Sequence, residues 1–268
     1  MPHSIIKRVW DYCSYDKKFL LFVFALLFIS SSIQNYVQAY GKENDLLLLR
    51  ILIFIIISGY GMSITRSRIN HGKRLPKIVI KDIVFLGIKA GITSSVYFFI
   101  QMMILACVGF AFGFNLLFNL EDLLLNWSDT VNLFLYHDLV SVILFVIVGL
   151  VLFYVTTFFM EIALAKLADT GSLRDAFNLM SIKRSIDVFG WRNYAKDYNL
   201  IVLTIILLSY LISIDISFNL IDSIIDMFLS FLIFVTQYLG IGAVYCEIKD
   251  LESNVVKTET RLLVTFIY

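Results

Sequence analysis

Apolar residues occur in long runs along this chain, and a helix needs about 20 mainly apolar residues to cross the hydrocarbon core of a bilayer. Six runs have that character, and they cover residues 19–40, 46–64, 83–114, 139–164, 198–216 and 224–245. The pattern predicts an all-α fold, in which six transmembrane helices form one polytopic bundle. We expect a single integral membrane domain over residues 1–268.

The composition agrees with a bilayer environment. Hydrophobic residues make up 59% of the 268 residues and charged residues 16%, whereas soluble domains are roughly 45–50% apolar. The first run also resembles the apolar region of a signal peptide, with a loose cleavage pattern at residues 37–39. Asp11 and Asp16 precede that run, and the run is longer than a signal peptide needs, so an uncleaved first span is the favoured interpretation.

The basic residues lie almost entirely in alternate connectors. Of the 22 Lys and Arg residues, 19 precede the first run, follow the last one, or lie between runs two and three or four and five, and Lys89 lies just inside run three at the same end. Only Lys42 and Arg50 fall on the other side, which also holds nine acidic residues. Because positive charge is retained on the cytoplasmic side of a membrane, we predict a cell-membrane protein with both termini in the cytoplasm.

The two large basic connectors have similar plans, in which a Gly-containing turn precedes an amphipathic stretch. In the second connector, Thr170 or Ser172 is placed to cap a helix. The residues after it have the i, i+3, i+4, i+7 spacing of one helical face, namely Leu173, Ala176, Phe177 and Met180. We expect short amphipathic interfacial helices on the cytoplasmic side, with basic side chains toward anionic lipid headgroups.

Small residues recur along the third run. Gly87 and Gly91 have one GxxxG spacing, and Gly109 and Gly113 have another. Small residues let helix backbones approach closely in a membrane. Helix packing within the chain is the favoured interpretation, and a homo-oligomer interface is the alternative.

Three polar residues inside apolar runs are candidates for chemistry. Lys89 and Glu161 are charged, and Gln101 lies in the same run as Lys89. Intramembrane charges are costly enough to suggest a role in ion or solute passage. A structural ion pair, or a lysine that reaches the interface along its own stem, is the commoner explanation.

No enzyme signature occurs in the sequence, which lacks HExxH, GxSxG, Walker A and GxGxxG patterns. The three histidines and three cysteines are scattered, without the spacing typical of metal ligands. We therefore expect no enzyme activity, no catalytic residues, no cofactor and no metal. The basic connectors are explained by topology and lipid rather than by nucleic acid.

Several motifs resemble an uncharacterised archaeal family of multi-pass membrane proteins, a domain-of-unknown-function family abundant in methanogens. The resemblance rests on Gly59-Tyr60, Leu75-Pro76, Gly87-Ile88-Lys89, Ala168-Asp169, Gly171-Ser172-Leu173, Gly190-Trp191 and Tyr245-Cys246-Glu247-Ile248. The chain departs from the family at Gln101, where a proline is usual, and at residues 71–74, where the connector is usually acidic. The resemblance implies a fold and a location but no site residues.

The sequence thus favours a non-enzymatic scaffold or accessory subunit with a protein partner or a second copy of itself. The alternative is a small-solute or ion transporter with a polar cavity near Lys89, Gln101 and Glu161.

Overall fold

The computed structural model describes residues 47–72, 76–111, 139–212 and 219–267. Over these ranges every regular element is a helix: α1 (Leu47–Ile69), α2 (Ile80–Ala111), α3 (Leu139–Thr170), α4 (Leu173–Ala176), α5 (Leu179–Phe189), α6 (Trp191–Ile212) and α7 (Asn219–Ile267). The predicted all-α class is confirmed for this part of the chain. The first predicted span, residues 19–40, and the loop at residues 115–138 lie outside it.

Five of these helices are long and apolar enough to cross a membrane. The segments are Leu48–Ile69, Ile80–Ala111, Val140–Thr170, Trp191–Ile212 and Phe228–Asn254. They support a multi-pass helical membrane protein, and the count of six stays a prediction. The described chain divides into one compact unit, with residues 47–91 and 162–267, and another with residues 92–161.

The helices extend further into the basic connectors than hydropathy predicts. α3 continues from Leu164 to Thr170, and α7 continues well past Tyr245. α6 begins at Trp191 instead of residue 198. Hydropathy falls where charged residues appear. Helical backbone hydrogen bonding continues through lysines and acids that have partners or reach water. The predicted helices therefore stop too early at their basic ends.

A short helix begins after Ser172 as predicted, with Ser172 at the N-cap position but without a side-chain capping bond. The prediction of one amphipathic helix through Met180 is wrong. α4 ends at Ala176, and the Asn178 side chain caps a separate helix, α5, by accepting a hydrogen bond from the Ser181 N–H at 3.0 Å. Ala176 is fully buried whereas Met180 is 85% exposed, so these residues do not share one face. Asparagine favours helix starts over interiors, and that preference divides the segment in two.

α1 and α7 lie side by side and run in the same direction. The Thr65 hydroxyl donates to the Tyr238 carbonyl at 3.0 Å, and a methyl group on Gly242 would come within 3.0 Å of the Arg68 Cβ. Between these helices and the start of α2 lies an apolar core, which consists of Tyr60, Ile64, Ile83, Phe231, Phe234, Val235 and Leu239. This packing sets the register between α1 and α7, and therefore which residues of α7 lie beside the end of α1.

In the second unit, α2 and α3 expose most of their large apolar side chains, as lipid-facing helices do. Three polar residues of α2 are buried instead: Thr93, Tyr97 and Gln101. Their spacing of four residues places them on one face of the helix.

Candidate functional site

Many fully buried residues of the first unit lie at the basic end of the helices, where α3, α4, α5 and α7 meet. Small residues in the last turns of α3 make this packing close. Ala163, Ala165 and Ala168 are fully buried, and so are Ala176, Ile182, Ile186 and Ile248. We call this region, residues 162–190 with residues 241–252 of α7, the elbow.

An ion pair joins α7 to α3 within the elbow. The Lys249 Nζ lies 2.6 Å from the Asp169 Oδ1, and the Asp169 side chain is only 16% exposed. Partial burial reduces solvent screening of the pair. The pair therefore holds two helices that are 80 residues apart in sequence.

Two further polar contacts hold α5 in the elbow. The buried Lys166 donates from its Nζ to the Ser181 carbonyl at 2.9 Å and to the Ser181 hydroxyl at 2.5 Å. On the next turn, the fully buried Ser185 donates its hydroxyl to the Glu252 carboxylate at 2.8 Å. α5 is thus linked to α3 on one side and to α7 on the other.

Lys89 also reaches the elbow. Its Nζ donates to the Gly171 carbonyl at 2.5 Å and lies 4.0 Å from the centroid of the Phe85 ring. Gly171 follows α3 directly and has a φ of +70°, the left-handed conformation in which helices commonly end. A cation at a helix C-terminus is favourable, so Lys89 stabilises the end of α3.

The other two polar candidates lie in the second unit. Gln101 is 6% exposed and Glu161 is 9% exposed. Gln101 shares the buried face of α2 with Thr93 and Tyr97. Glu161 lies about one helical turn after the buried Phe158 on α3. Both side chains are therefore shielded from the surroundings, as polar groups within a membrane have to be.

The four glycines singled out for packing differ in their surroundings. Gly87 touches the backbone of α1 at Ile55 and Gly59, with no room for a side chain. Gly91 has more space, since a methyl group there would lie 3.9 Å from the Phe54 ring. Gly109 is buried in α2, and Gly113 lies outside the described residues.

A narrow apolar cleft runs between α3, α6 and α7. Aromatic side chains form much of its wall, namely Tyr194, Tyr198 and Tyr245 together with Ile162, Ile201 and Ile241. Ala165 lines the same cleft. An apolar lining of this kind suits tight helix packing better than passage of a polar solute.

One cluster was missed by sequence reasoning. His71, in the turn after α1, lies beside Cys246 and Asp250 of α7, and one ligand atom from each lies within 4.8 Å of the others. His71 and Cys246 are 175 residues apart, so spacing in the sequence gives no sign of the cluster. Cys246 nevertheless occurs in a motif that resembles the suspected family, residues 245–248, and His71 occurs in residues 71–74, where the chain departs from that family.

Comparison with protein families gives one match. A family model described as a protein of unknown function (DUF4013) covers residues 46–221 of the chain. No curated protein and no solved structure matches the chain. The match supports the expected domain-of-unknown-function family, and an archaeal, methanogen-rich distribution stays a prediction.

Proposed function

The chain belongs to the DUF4013 family, and from that premise we propose that it is a non-enzymatic integral membrane protein that acts by association. Its role is that of a scaffold or accessory subunit in a larger envelope or transport assembly of the cytoplasmic membrane. Both termini lie in the cytoplasm, and the elbow faces the same compartment.

The observation that carries this proposal is that three lysines at the elbow each contact a group on a neighbouring element. Lys89, Lys166 and Lys249 make contacts with a backbone carbonyl, a serine and an aspartate on neighbouring elements. Each of these contacts fixes one helix against another. Charges arranged in this way give a rigid platform, which is what a protein needs in order to hold partners at fixed positions.

The exposed face of α5, in the elbow, is suited to binding anionic lipid. Lys183 and Arg184 of α5 are exposed, beside Leu179 and Met180, whose exposed fractions are 62% and 85%. Basic and apolar groups together at an interface attract anionic headgroups. We expect a Lys183→Gln, Arg184→Gln variant to retain less phosphatidylglycerol after detergent extraction, measured by mass spectrometry, and an Arg50→Gln variant at the opposite end to retain the normal amount.

A transporter is the second candidate, and one observation favours it. Thr93, Tyr97 and Gln101 form a buried polar face on α2, and Glu161 is a buried carboxylate. Polar groups of this kind line the pathways of many transporters. In this alternative, Lys89, Gln101 and Glu161 line a polar cavity for a small solute or ion.

Reconstituted protein distinguishes the two functions. We expect proteoliposomes with the wild-type chain to take up ions and small solutes no faster than protein-free vesicles. The variants Glu161→Gln and Lys89→Met are compared with the exposed control Lys183→Gln. Uptake that is present in wild type and control but lost in both test variants would contradict the scaffold and support the transporter.

A further inference from the structure

Three side chains with metal-binding atoms converge where α1 and α7 end. The Cys246 Sγ lies 3.5 Å from the His71 Nδ1, and the His71 Nε2 lies 3.4 Å from the Asp250 Oδ1. Cys246 and Asp250 are four residues apart on α7 and therefore share one face of it. Cys246 and Asp250 belong to the elbow, but they take no part in the ion pair and the serine hydrogen bonds described for it above.

The packing of α1 on α7 accounts for this convergence. Gly242 of α7 lies against Thr65 and Arg68 of α1. Because the helices run in the same direction, the next residues along both chains are also neighbours, so Cys246 meets the turn that carries His71. The position of the cluster thus follows from helix register rather than from a mobile loop.

The backbone at His71 is unusual. Its φ of +57° is left-handed, in a position after a helix where glycine is the common residue. The turn is closed by the His71 N–H, which donates to the Arg68 carbonyl at 3.0 Å, and by the Gly72 N–H, which donates to the Ser67 carbonyl at 2.7 Å. A histidine here costs stability relative to glycine, and it directs an imidazole at α7.

The distances fit a tetrahedral metal ion. Zinc binds cysteine sulfur at about 2.3 Å and histidine nitrogen at about 2.0 Å, so two such ligands at the tetrahedral angle lie about 3.5 Å apart. The separation of the Cys246 Sγ and the His71 Nδ1 is 3.5 Å. The neutral tautomer with its proton on Nε2 would place that N–H 3.4 Å from the Asp250 Oδ1 and keep a lone pair on Nδ1, the nitrogen next to the Cys246 sulfur. This is the arrangement in which a carboxylate orients a metal-binding histidine.

We propose that His71, Cys246 and Asp250 form a binding site for a divalent transition metal of the zinc class. The Cys246 Sγ and the His71 Nδ1 bind the ion, and Asp250 orients the imidazole and lies close enough to approach the ion. Cys246 is buried, whereas the His71 and Asp250 side chains are 69% and 55% exposed. The remaining ligand positions therefore open to solvent, where water completes the coordination.

Metal binding at this site fastens the end of α1 to α7. The thiol proton is released to solvent as the thiolate binds the ion. Only His71 lies within the segment that the family model matches, residues 46–221. The site therefore combines a residue of the family domain with two residues that follow it, and it does not depend on the proposed scaffold function.

Cobalt titration of purified full-length protein tests the site. Cys13→Ser and Cys107→Ser are introduced first, so that Cys246 is the sole cysteine of the three. After chelator treatment, we expect Co²⁺ to bind at one ion per chain with a thiolate-to-cobalt absorption band, and Zn²⁺ to displace it. Cys246→Ser should abolish the band. Asp250→Asn should keep the band but weaken binding by about tenfold or more.

His71→Gly is the decisive variant, because glycine is favoured at a φ of +57° and the fold should be retained. We expect this variant to elute as the background protein does, to be at least as stable in the absence of metal, and to bind Co²⁺ at least tenfold more weakly. Zinc should slow alkylation of Cys246 by iodoacetamide in the background protein but not in this variant. Absence of the absorption band in the background protein, or equal Co²⁺ affinity in His71→Gly, would overturn the proposal.

Discussion

Gly59 of α1 and Gly87 of α2 lie backbone to backbone where the two helices cross. A methyl group on Gly59 would come within 2.9 Å of the Gly87 nitrogen, and one on Gly87 within 3.1 Å of the Gly59 nitrogen. Each would also meet a carbonyl oxygen of the opposite helix, that of Ile83 or Ile55. Backbone atoms move little, so the crossing requires glycine on both sides.

We therefore predict that Gly59→Ala and Gly87→Ala each destabilise the protein. Overpacking costs about 1–3 kcal/mol, and here it forces two helices apart. Thermal unfolding in detergent measures the effect. Gly91→Ala is the matched control on α2, since its methyl group would make only an ordinary contact with Phe54 at 3.9 Å; equal losses at positions 87 and 91 would contradict the close crossing.

A second prediction concerns Lys166, which is 7% exposed. Lys166→Met keeps most of the side-chain volume but removes both hydrogen bonds to Ser181. The lost bonds are made by a charged ammonium group, and a hydrogen bond of that kind contributes about 1.5–3 kcal/mol. We expect faster proteolysis within residues 171–190 as well as a lower midpoint of thermal unfolding.

Lys183→Met serves as the comparison, because Lys183 lies on the exposed face of α5, the helix that Lys166 contacts from α3. Surface substitutions usually change stability by no more than about 0.5 kcal/mol. If the two variants behaved alike, Lys166 would have no special part in holding α5.

The sequence predicts the helical class and the approximate position of five described spans, because apolar length is a strong signal in membrane proteins. It underestimates how far the helices extend into the basic connectors. Asp169 and Lys249 have the appearance of connector residues, yet each is helical and the two are paired. Hydropathy assigns every charge a cost, and it does not account for a partner on a distant helix.

The site is less accessible to sequence reasoning than the fold. Lys89 stands out because it is charged within an apolar run, but its acceptor is a backbone carbonyl, which no residue type reveals. The division between α4 and α5 follows from one capping side chain, Asn178. His71 and Cys246 meet only because of the register between α1 and α7, and register is a property of packing.

The proposed orientation makes a third prediction. Met180 is 85% exposed, and in a cysteine-free background Met180→Cys should react with a membrane-impermeant maleimide only after the cells are permeabilised. Lys42→Cys, in the connector predicted to lie outside, should react in intact cells. The reverse pattern of labelling would contradict the assignment of the basic elbow to the cytoplasm.

The composition and mass of the complex that contains this chain test the scaffold function most directly. Full-length protein is extracted from its native membrane in mild detergent, purified by a terminal tag, and measured by native mass spectrometry beside an equally tagged membrane protein of similar size. We expect a complex larger than one chain, with other subunits in fixed stoichiometry that persist in the Glu161→Gln variant. Recovery of the chain as a monomer without any associated protein would contradict the proposal.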